Sequence, residues 1–301
     1  MYTRILLNSD ASENIPYNHP SFPVYIGKRQ LSNYPNYSAI SHWHDDLEFI
    51  QIQRGQMNYM VNGQNVTLKE GDGIFINSRQ LHHGYSMERQ ECVFLCVLLH
   101  PDLLCANDFF TSTFVLPFLY QQDFSYHLLS ADCPDENRIL NHIREIYEHY
   151  TALPETKKEM NSFFIQSHFF QLFEALYGIS HITPEGTHPS TQLDTLKAMV
   201  GHIQHHYADK ITLDDIASSG HCCKSKCSAL FHRYLKKSPN QYLMEYRLNK
   251  SIELLLNTDE SILEIAFQTG FQGSSYFCEA FRKNYAISPR QFRQQKATPA
   301  S

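Results

Sequence analysis

Residues 261–293 read SILEIAFQTGFQGSSYFCEAFRKNYAISPRQFR, and residues 212–243 read TLDDIASSGHCCKSKCSALFHRYLKKSPNQYL. The two stretches are one pattern written twice. Phe231 recurs as Phe281, Ser238-Pro239 as Ser288-Pro289 and Gln241-Tyr242 as Gln291-Phe292, each 50 positions on. Thr212, Asp215 and Ile216-Ala217 recur as Ser261, Glu264 and Ile265-Ala266, 49 positions on. The second copy has therefore gained one residue between its Ala and its Phe. Two copies are too few for a solenoid, so each is expected to be a small unit with its own task.

Each copy opens on a capping-box pattern, Thr212-x-x-Asp215 and Ser261-x-x-Glu264, in which hydroxyl and acid satisfy each other's backbone amides. A short helix follows, with Leu213, Ile216 and Ala217 on one face, then Ile262, Ile265 and Ala266 in the second copy. Gly220 and Gly270 are expected to break these helices at positive φ. Second helices are expected near Lys224 and near Ser274. Their buried stripes are Cys227, Leu230, Phe231 and Tyr234, then Phe277, Ala280, Phe281 and Tyr285. Helix, tight turn, helix is the helix-turn-helix unit, whose second helix enters the DNA major groove. The outer faces would carry Ser225, Ser228, Ala229 and His232, then Ser275, Cys278, Glu279 and Arg282. Each Ser-Pro supplies an N-cap and a first-turn proline. Asn240 to Asn257 reads as one long helix, with Tyr242, Leu243, Tyr246, Leu254 and Leu255 inward, holding the two units at a fixed angle. A plain helical bundle would explain one such unit. Two in register, joined by a rigid helix, favour DNA.

On these residues the last hundred or so positions resemble the AraC family of bacterial transcription regulators. The resemblance implies sequence-specific binding to two consecutive major-groove segments. Four positions depart from the family pattern. Cys223 stands at the first N-cap, where Ser is usual, and Ala286 ends the second recognition helix, where Gly is usual. Ala229 and Glu279 stand where relatives often carry an Arg that contacts bases or phosphates.

Composition agrees with this division. The 301 residues are 42% hydrophobic with a formal net charge of −6, but the charge is uneven. From residue 190 onward there are 14 Lys/Arg and 10 Asp/Glu, a net +4, leaving −10 for the rest. Only the C-terminal third suits a polyanion. No run of 18 apolar residues and no full signal peptide are present, so a cytoplasmic location without membrane contact is expected. The eight cysteines form no disulfide framework. His221, Cys222, Cys223 and Cys227 lack the second paired set a zinc site needs, and Cys227 is already required in an apolar stripe.

Upstream, residues 1–23 read as an extended arm. From Val24 to Leu99 short β-type runs alternate with turns: Leu47 to Gln53, a turn at Gly55, then Met57 to Val61 and Gln64 to Leu68 flanking the type I′ hairpin signal Asn62-Gly63. A further turn at Glu70 to Gly73 precedes Ile74 to Ile76, and Cys92 to Leu99 is a continuous apolar strand. Many short strands indicate a sandwich or barrel. Helices are expected over Asp135 to Tyr150 and over Glu155 to Ile182. The second is apolar on more than one face, so either part of it packs on the barrel and part meets a second subunit, or the whole is buried within the monomer. Pro184 to Gln192 is the linker, and Leu193 to Tyr207 opens the C-terminal domain. The expected class is α+β. An N-terminal β jelly roll spans 1–130, a helical extension with a dimerisation role spans 131–183, a linker spans 184–192, and an all-α pair of helix-turn-helix units spans 193–301.

The metal-like constellation is His42-Trp43-His44 with Glu48, followed by His82. Residues two apart on a strand face the same way, so His42, His44 and Glu48 share a side. This spacing resembles the two motifs of the cupin family, a small jelly-roll barrel in which three His and one Glu hold a divalent metal. All four positions match here. Asn77 and Arg79 replace the usual Pro and Gly of the second motif, and Ser86 replaces an Asn often found there. Three readings stand: a divalent-metal site, which is the one candidate cofactor; a polar patch for a small effector; or structural histidines. Trp43 and Tyr59 are candidate stacking residues for a sugar, with Phe49 and Phe75 alongside.

The expected function is a non-enzymatic, DNA-binding transcription regulator; the family resemblance implies control by an effector, a sugar or related metabolite, in the barrel. Phosphate contacts are assigned to Lys224, Lys226, Arg233, Lys236, Lys237, Arg282, Lys283 and Arg290, and base readout to Ser225, Ser228, Ser274, Ser275 and Glu279. Expected partners are double-stranded DNA, the effector and a second copy of the chain, with RNA polymerase a further candidate. The rival from another class is a metal-dependent cupin enzyme with an accessory DNA-binding domain.

Overall fold

Val, Ile, Leu and Phe alternate faces along the strands of the N-terminal half, and that alternation builds two cores from one set of strands. The computed structural model describes residues 5–8, 12–19, 21–121, 123–154, 161–180 and 191–297. The strands are β1 (Val24–Gln30), β2 (Leu47–Val61), β3 (Gln64–Lys69), β4 (Gly73–Ile76), β5 (His82–Tyr85), β6 (Cys92–Leu99) and β7 (Tyr126–Leu129). The order is β1-β6-β2-β4-β7, with β3 and β5 also pairing with β2, all antiparallel.

β2 organises this half. Its first part pairs with β6 and β4, and its second part, from Gln56, pairs with β3 and β5. The expected turn at Gly55 is instead a point inside a 15-residue strand. A bulge between Ile52 and Arg54 bends the strand from one sheet into the other, as at the corners of β sandwiches. Gly55 adopts φ +83°, and a Cβ there would lie 2.3 Å from the Glu91 carbonyl oxygen. Glycine therefore marks a bend with close backbone approach, not a chain reversal. The Asn62-Gly63 hairpin forms as expected, both residues at positive φ.

Leu47 and Phe49 of β2, Phe75 of β4, and Leu95, Val97 and Leu99 of β6 share one apolar cluster with the helices. The intervening Ile50, Ile52, Ile74, Phe94, Cys96 and Leu98 line the inside of the barrel. β6 is apolar throughout because both its faces are covered. The helical side contains two short segments, α1 (Asp108–Phe110) and α2 (Leu116–Leu119), then α3 (Pro134–Ala152) and α4 (Asn161–Ile179). Ile139, Ile143, Ile146, Phe169, Leu172 and Leu176 are buried there. The expected start of α4 at Glu155 and its end at Ile182 lie outside the described residues. Phe163 is 78% exposed, so the apolar excess of α4 does not all face the monomer core.

The chain divides into two compact units, Met1–Leu6 with Ser12–Ser190 and Leu7–Ala11 with Thr191–Ser301. The linker stretch Pro184 to Ser190 lies outside the described residues. The helical unit begins at Thr191, two residues before the expected start, with α5 (Thr191–His205). There follow α6 (Leu213–Ser219), α7 (Lys224–Leu235), α8 (Pro239–Asn257), α9 (Ile262–Gln268), α10 (Ser274–Tyr285) and α11 (Pro289–Ala297). Complete capping boxes at Thr212/Asp215, Ser238/Gln241 and Ser261/Glu264 start α6, α8 and α9.

The two turns differ in a way the repeat conceals. Gly270 has φ +81°, but Gly220 has φ −95° and the left-handed residue is His221 at φ +49°. Gly220 is required for space: a Cβ there would lie 2.6 Å from Met199 Cγ on α5. The long helix α8 buries two faces. Tyr242, Leu243 and Tyr246 form one, and Leu248, Ile252 and Leu255 the other, while Leu254 is only half-buried. α8 packs against α5, α6 and α7 as well as α9 and α11. It is thus the shared wall of both units.

Candidate functional site

His42 and His82 are brought together by reciprocal backbone hydrogen bonds, His42 N to His82 O at 3.2 Å and His82 N to His42 O at 2.9 Å. Their rings lie 4.4 Å apart, with His44 5.9 Å from His42 and 5.0 Å from His82. Glu48, on the inward-facing side of β2, completes the group. Its Oε2 is 2.7 Å from His82 Nε2 and 3.5 Å from His44 Nε2. Its Oε1 accepts from Tyr59 OH at 3.2 Å and from Cys96 Sγ at 3.8 Å. The three histidines therefore converge, and Glu48 meets two of them, His44 and His82; all four residues are buried.

The imidazoles are oriented alike. Nδ1 of His42, His44 and His82 lies 2.8, 3.2 and 2.8 Å from the backbone carbonyls of Ile40, Asp46 and Gln80. A carbonyl accepts only, so Nδ1 carries the proton and the Nε2 lone pairs face the centre when the rings are neutral. The three possible ligand nitrogens lie within 4.8 Å of one another. Burial opposes ionisation of Glu48, but His82 and His44 outweigh it and hold the carboxyl well below the usual range. The hydrogen bond and charge of Glu48 overcome burial at His44 and raise it to about 9. Burial, with the neighbouring His82 and His44, pushes His42 well below the ordinary histidine value. His44 Nε2, His82 Nε2 and Glu48 Oε2 are buried and face one another. Three imidazoles held from behind, with their Nε2 atoms turned toward a buried carboxylate, fit a divalent metal. His42, His44, His82 and Glu48 would hold it, and it would supply a Lewis-acidic anchor for an oxygen ligand.

A cavity adjoins the cluster and is lined by Glu13, Tyr25, Arg29, Tyr34, His42 and Tyr59, among others. Glu13 Oε2 lies 3.3 Å from His42 Nε2, and burial raises its carboxyl. Glu13, Arg29 and Tyr34 carry no periodic or motif signal and were not legible as site residues. Cys96 was, in principle, because its register partner on β2 is Ile50 and alternation puts it inside. Trp43 is buried, with the Arg79 guanidinium 5.5 Å from its ring centre, and does not line this cavity. Phe49 and Phe75 belong to the helix-side core and are likewise removed from it.

In the helical unit, Lys224, Ser225, Lys226, Arg233 and Lys236 of the α7 region are exposed, with Ser228 half-buried. On α10 and α11, Ser275, Glu279, Arg282, Lys283 and Arg290 are exposed and Ser274 is half-buried. Several of these cations are engaged. Lys224 Nζ pairs with Asp214 at 2.7 Å, Lys237 pairs with Glu245, and Arg233 bonds Gln192 at 2.9 Å. Among the described residues, Lys226, Arg282, Lys283 and Arg290 show no acidic partner. Tyr276, 55% exposed beside Ser275, is a further surface group the apolar pattern did not single out.

Residues 29–173 match the family model of the AraC-like ligand binding domain, and residues 216–295 match that of a helix-turn-helix domain. The chain belongs to the AraC family. It is a DNA-binding transcription regulator with a ligand-binding domain. It is 27% identical over 275 residues to an uncharacterized HTH-type transcriptional regulator, YdeC, of Bacillus subtilis, covering 91% of this chain and 93% of that one. It is 28% identical over 279 residues to the HTH-type transcriptional activator RhaS of Klebsiella pneumoniae, covering 86% and 89%. Among solved structures, ToxT of Vibrio cholerae aligns over 91% of this chain and 98% of its own at 16% identity, with a TM-score of 0.45. Among the described residues of this regulator, no helix is long and apolar enough to cross a membrane.

Proposed function

We propose that this regulator reads a specific operator through α7 and α10 and is controlled by a small polar effector, a sugar or related metabolite, seated in the barrel. The observation that carries the effector half is the cavity itself. It combines aromatic faces (Tyr25, Tyr34, Tyr59) with polar groups of both signs (Arg29, Glu13) beside the His/Glu cluster. Aromatic rings cover the apolar faces of a sugar while charged groups fix its hydroxyls. The DNA half rests on the exposed Ser225 and Ser275 and on Lys226, Arg282, Lys283 and Arg290, which have no acidic partner among the described residues; these suit base edges and phosphates respectively.

The regulator works as a homodimer in the cytoplasm, with α4 and its exposed Phe163 on the self-association face. Activation would add RNA polymerase as a partner. The test is a thermal-shift screen of sugars and related metabolites on the full chain, followed by operator binding at saturating ligand. A ligand that stabilises the protein and alters DNA affinity supports the reading. Equal DNA affinity with and without a saturating ligand would sink the coupling.

A second reading, favoured by the three converging histidines with Glu48 beside His44 and His82, is that the barrel is metal-loaded and the ion anchors the effector. Metal analysis of the purified chain and of His82→Ala separates the two. A stoichiometric metal lost in the variant supports it, and an equally metal-free wild type removes it.

A further inference from the structure

Away from the barrel cluster, α3 and α4 bring His142, Glu145 and His168 together. His142 and Glu145 are one turn apart on α3, and His168 meets them from α4. The two Nδ1 atoms are 2.9 Å apart. Glu145 Oε2 lies 3.6 Å from His142 Nδ1 and 3.5 Å from His168 Nδ1. An ion with tetrahedral bonds of about 2.0 Å holds any two ligand atoms roughly 3.3 Å apart. The three atoms already form nearly that triangle.

The surroundings support a built site. The side chains of His142 and His168 are 11% and 12% exposed, whereas that of Glu145 is 54% exposed and leaves an approach from solvent. The ring of His168 lies 4.1 Å from Phe164, which stacks at 3.8 Å on His149. His149 Nδ1 is in turn 2.7 Å from Oδ1 of the buried Asn161. These groups do not reach the cluster centre, but Phe164 packs against the His168 imidazole that does and is itself held against His149.

A simple pair of histidines accounts for only part of this. One Nδ1–H donates to the other Nδ1, and then no proton remains for the carboxylate placed almost equally from both. Three lone-pair donors converge on a point supplied with one proton, and a divalent cation there would satisfy all three.

We propose that His142, Glu145 and His168 bind a divalent ion of the Zn²⁺ class, with water in the fourth position, and that the ion clamps α3 to α4. Imidazole and carboxylate donors suit this class of ion. On binding, the shared Nδ1 proton moves to Nε2 of its own ring, so that both Nδ1 lone pairs face the ion. No redox step is involved. The site goes beyond effector and operator binding and shares no residue with the barrel cluster.

The test is a Zn²⁺ titration of the chelator-stripped full chain against a chromophoric competitor, alongside Zn²⁺-dependent thermal stability. It is run in the wild type, His82→Ala, His142→Gln, His168→Gln and Glu145→Gln. The proposal expects His82→Ala to keep this site. Each of the other three should weaken one Zn²⁺ equivalent by more than about 10-fold, the scale on which even outer groups act. Each should also blunt the rise in melting temperature with Zn²⁺. Glu145 is exposed, so Glu145→Gln tests the site even if a histidine variant folds poorly. Unchanged stoichiometry and affinity in Glu145→Gln and in whichever histidine variants fold, as judged by circular dichroism, would overturn it.

Discussion

Glu48 Oε2 and His82 Nε2 lie 2.7 Å apart inside the barrel, both side chains buried. The carboxyl is held well below 4.5 by His82 and His44 in spite of burial, and His44 is raised from 6.5 to about 9 by Glu48. These are two views of one interaction. A depressed carboxyl gives stability that is present above its unfolded value and lost as pH falls through its folded one. A raised histidine gives stability that is present below its unfolded value and lost as pH rises through its folded one. Glu48 therefore stabilises the barrel most between about pH 4.5 and 6.5, and less toward pH 9. Removing one partner of a buried pair costs about 3–5 kcal/mol. Melting of metal-free wild type and Glu48→Gln across this range should show the largest gap near pH 5.5–6.5, as a rough window from those values. A gap that widens steadily toward pH 9 would refute the ionised pair.

Arg282 and Lys283 are exposed on α10 without an acidic partner among the described residues, whereas Lys224 is tied to Asp214 at 2.7 Å. Replacing Arg282 and Lys283 with Ala should weaken operator binding. It should also reduce the slope of log K against log salt by roughly 0.9 for each phosphate that is no longer neutralised. Lys224→Ala should have the smaller effect, because its charge is already half answered. A gel-shift titration over a salt series checks both, and an unchanged slope in the double variant counts against this face.

Ala286 ends α10 in the left-handed region at φ +62°. An L residue with a Cβ is costly there, and glycine relieves it. Ala286→Gly should stabilise the helical unit by about 1 kcal/mol, visible as a higher denaturation midpoint of its transition. A lower midpoint would mean that the turn does not hold this conformation in solution.

Gly55→Ala should do the opposite to the barrel. The new methyl would meet the Glu91 carbonyl at 2.3 Å while the backbone sits at φ +83°. A loss of more than about 2 kcal/mol is expected, from strain and overpacking together. Thermal melting of the soluble variant reports it, and a wild-type melt would show that β2 is not bent at this point.

These sites also show which features local sequence carries. Capping boxes at Thr212 and Ser261 and the 50-residue repeat are short-range patterns, legible residue by residue. The His42, His44, Glu48 and His82 set is legible because strand alternation and motif spacing are local too. Gly55 reads as a turn because a glycine looks the same at a reversal and at a bulge. Only the register of β2 against both sheets distinguishes them. Gly220 reads as a left-handed turn, but its missing side chain serves the close approach of Met199, a tertiary fact. Glu13 and the His142–His168 pair depend on segments far apart in sequence, so nothing in either stretch announces them.

The central claim is that one chain reads two neighbouring major-groove segments through α7 and α10. The most direct measurement is selection of bound duplexes from a random DNA library by the full-length protein, repeated with Arg282 and Lys283 replaced by Ala. The account predicts an enriched two-part motif whose halves lie about one helical turn apart, roughly 34 Å. In the double variant the half read by α10 should be bound more weakly. Recovery of unselected sequence, with affinity set by salt alone, would contradict it.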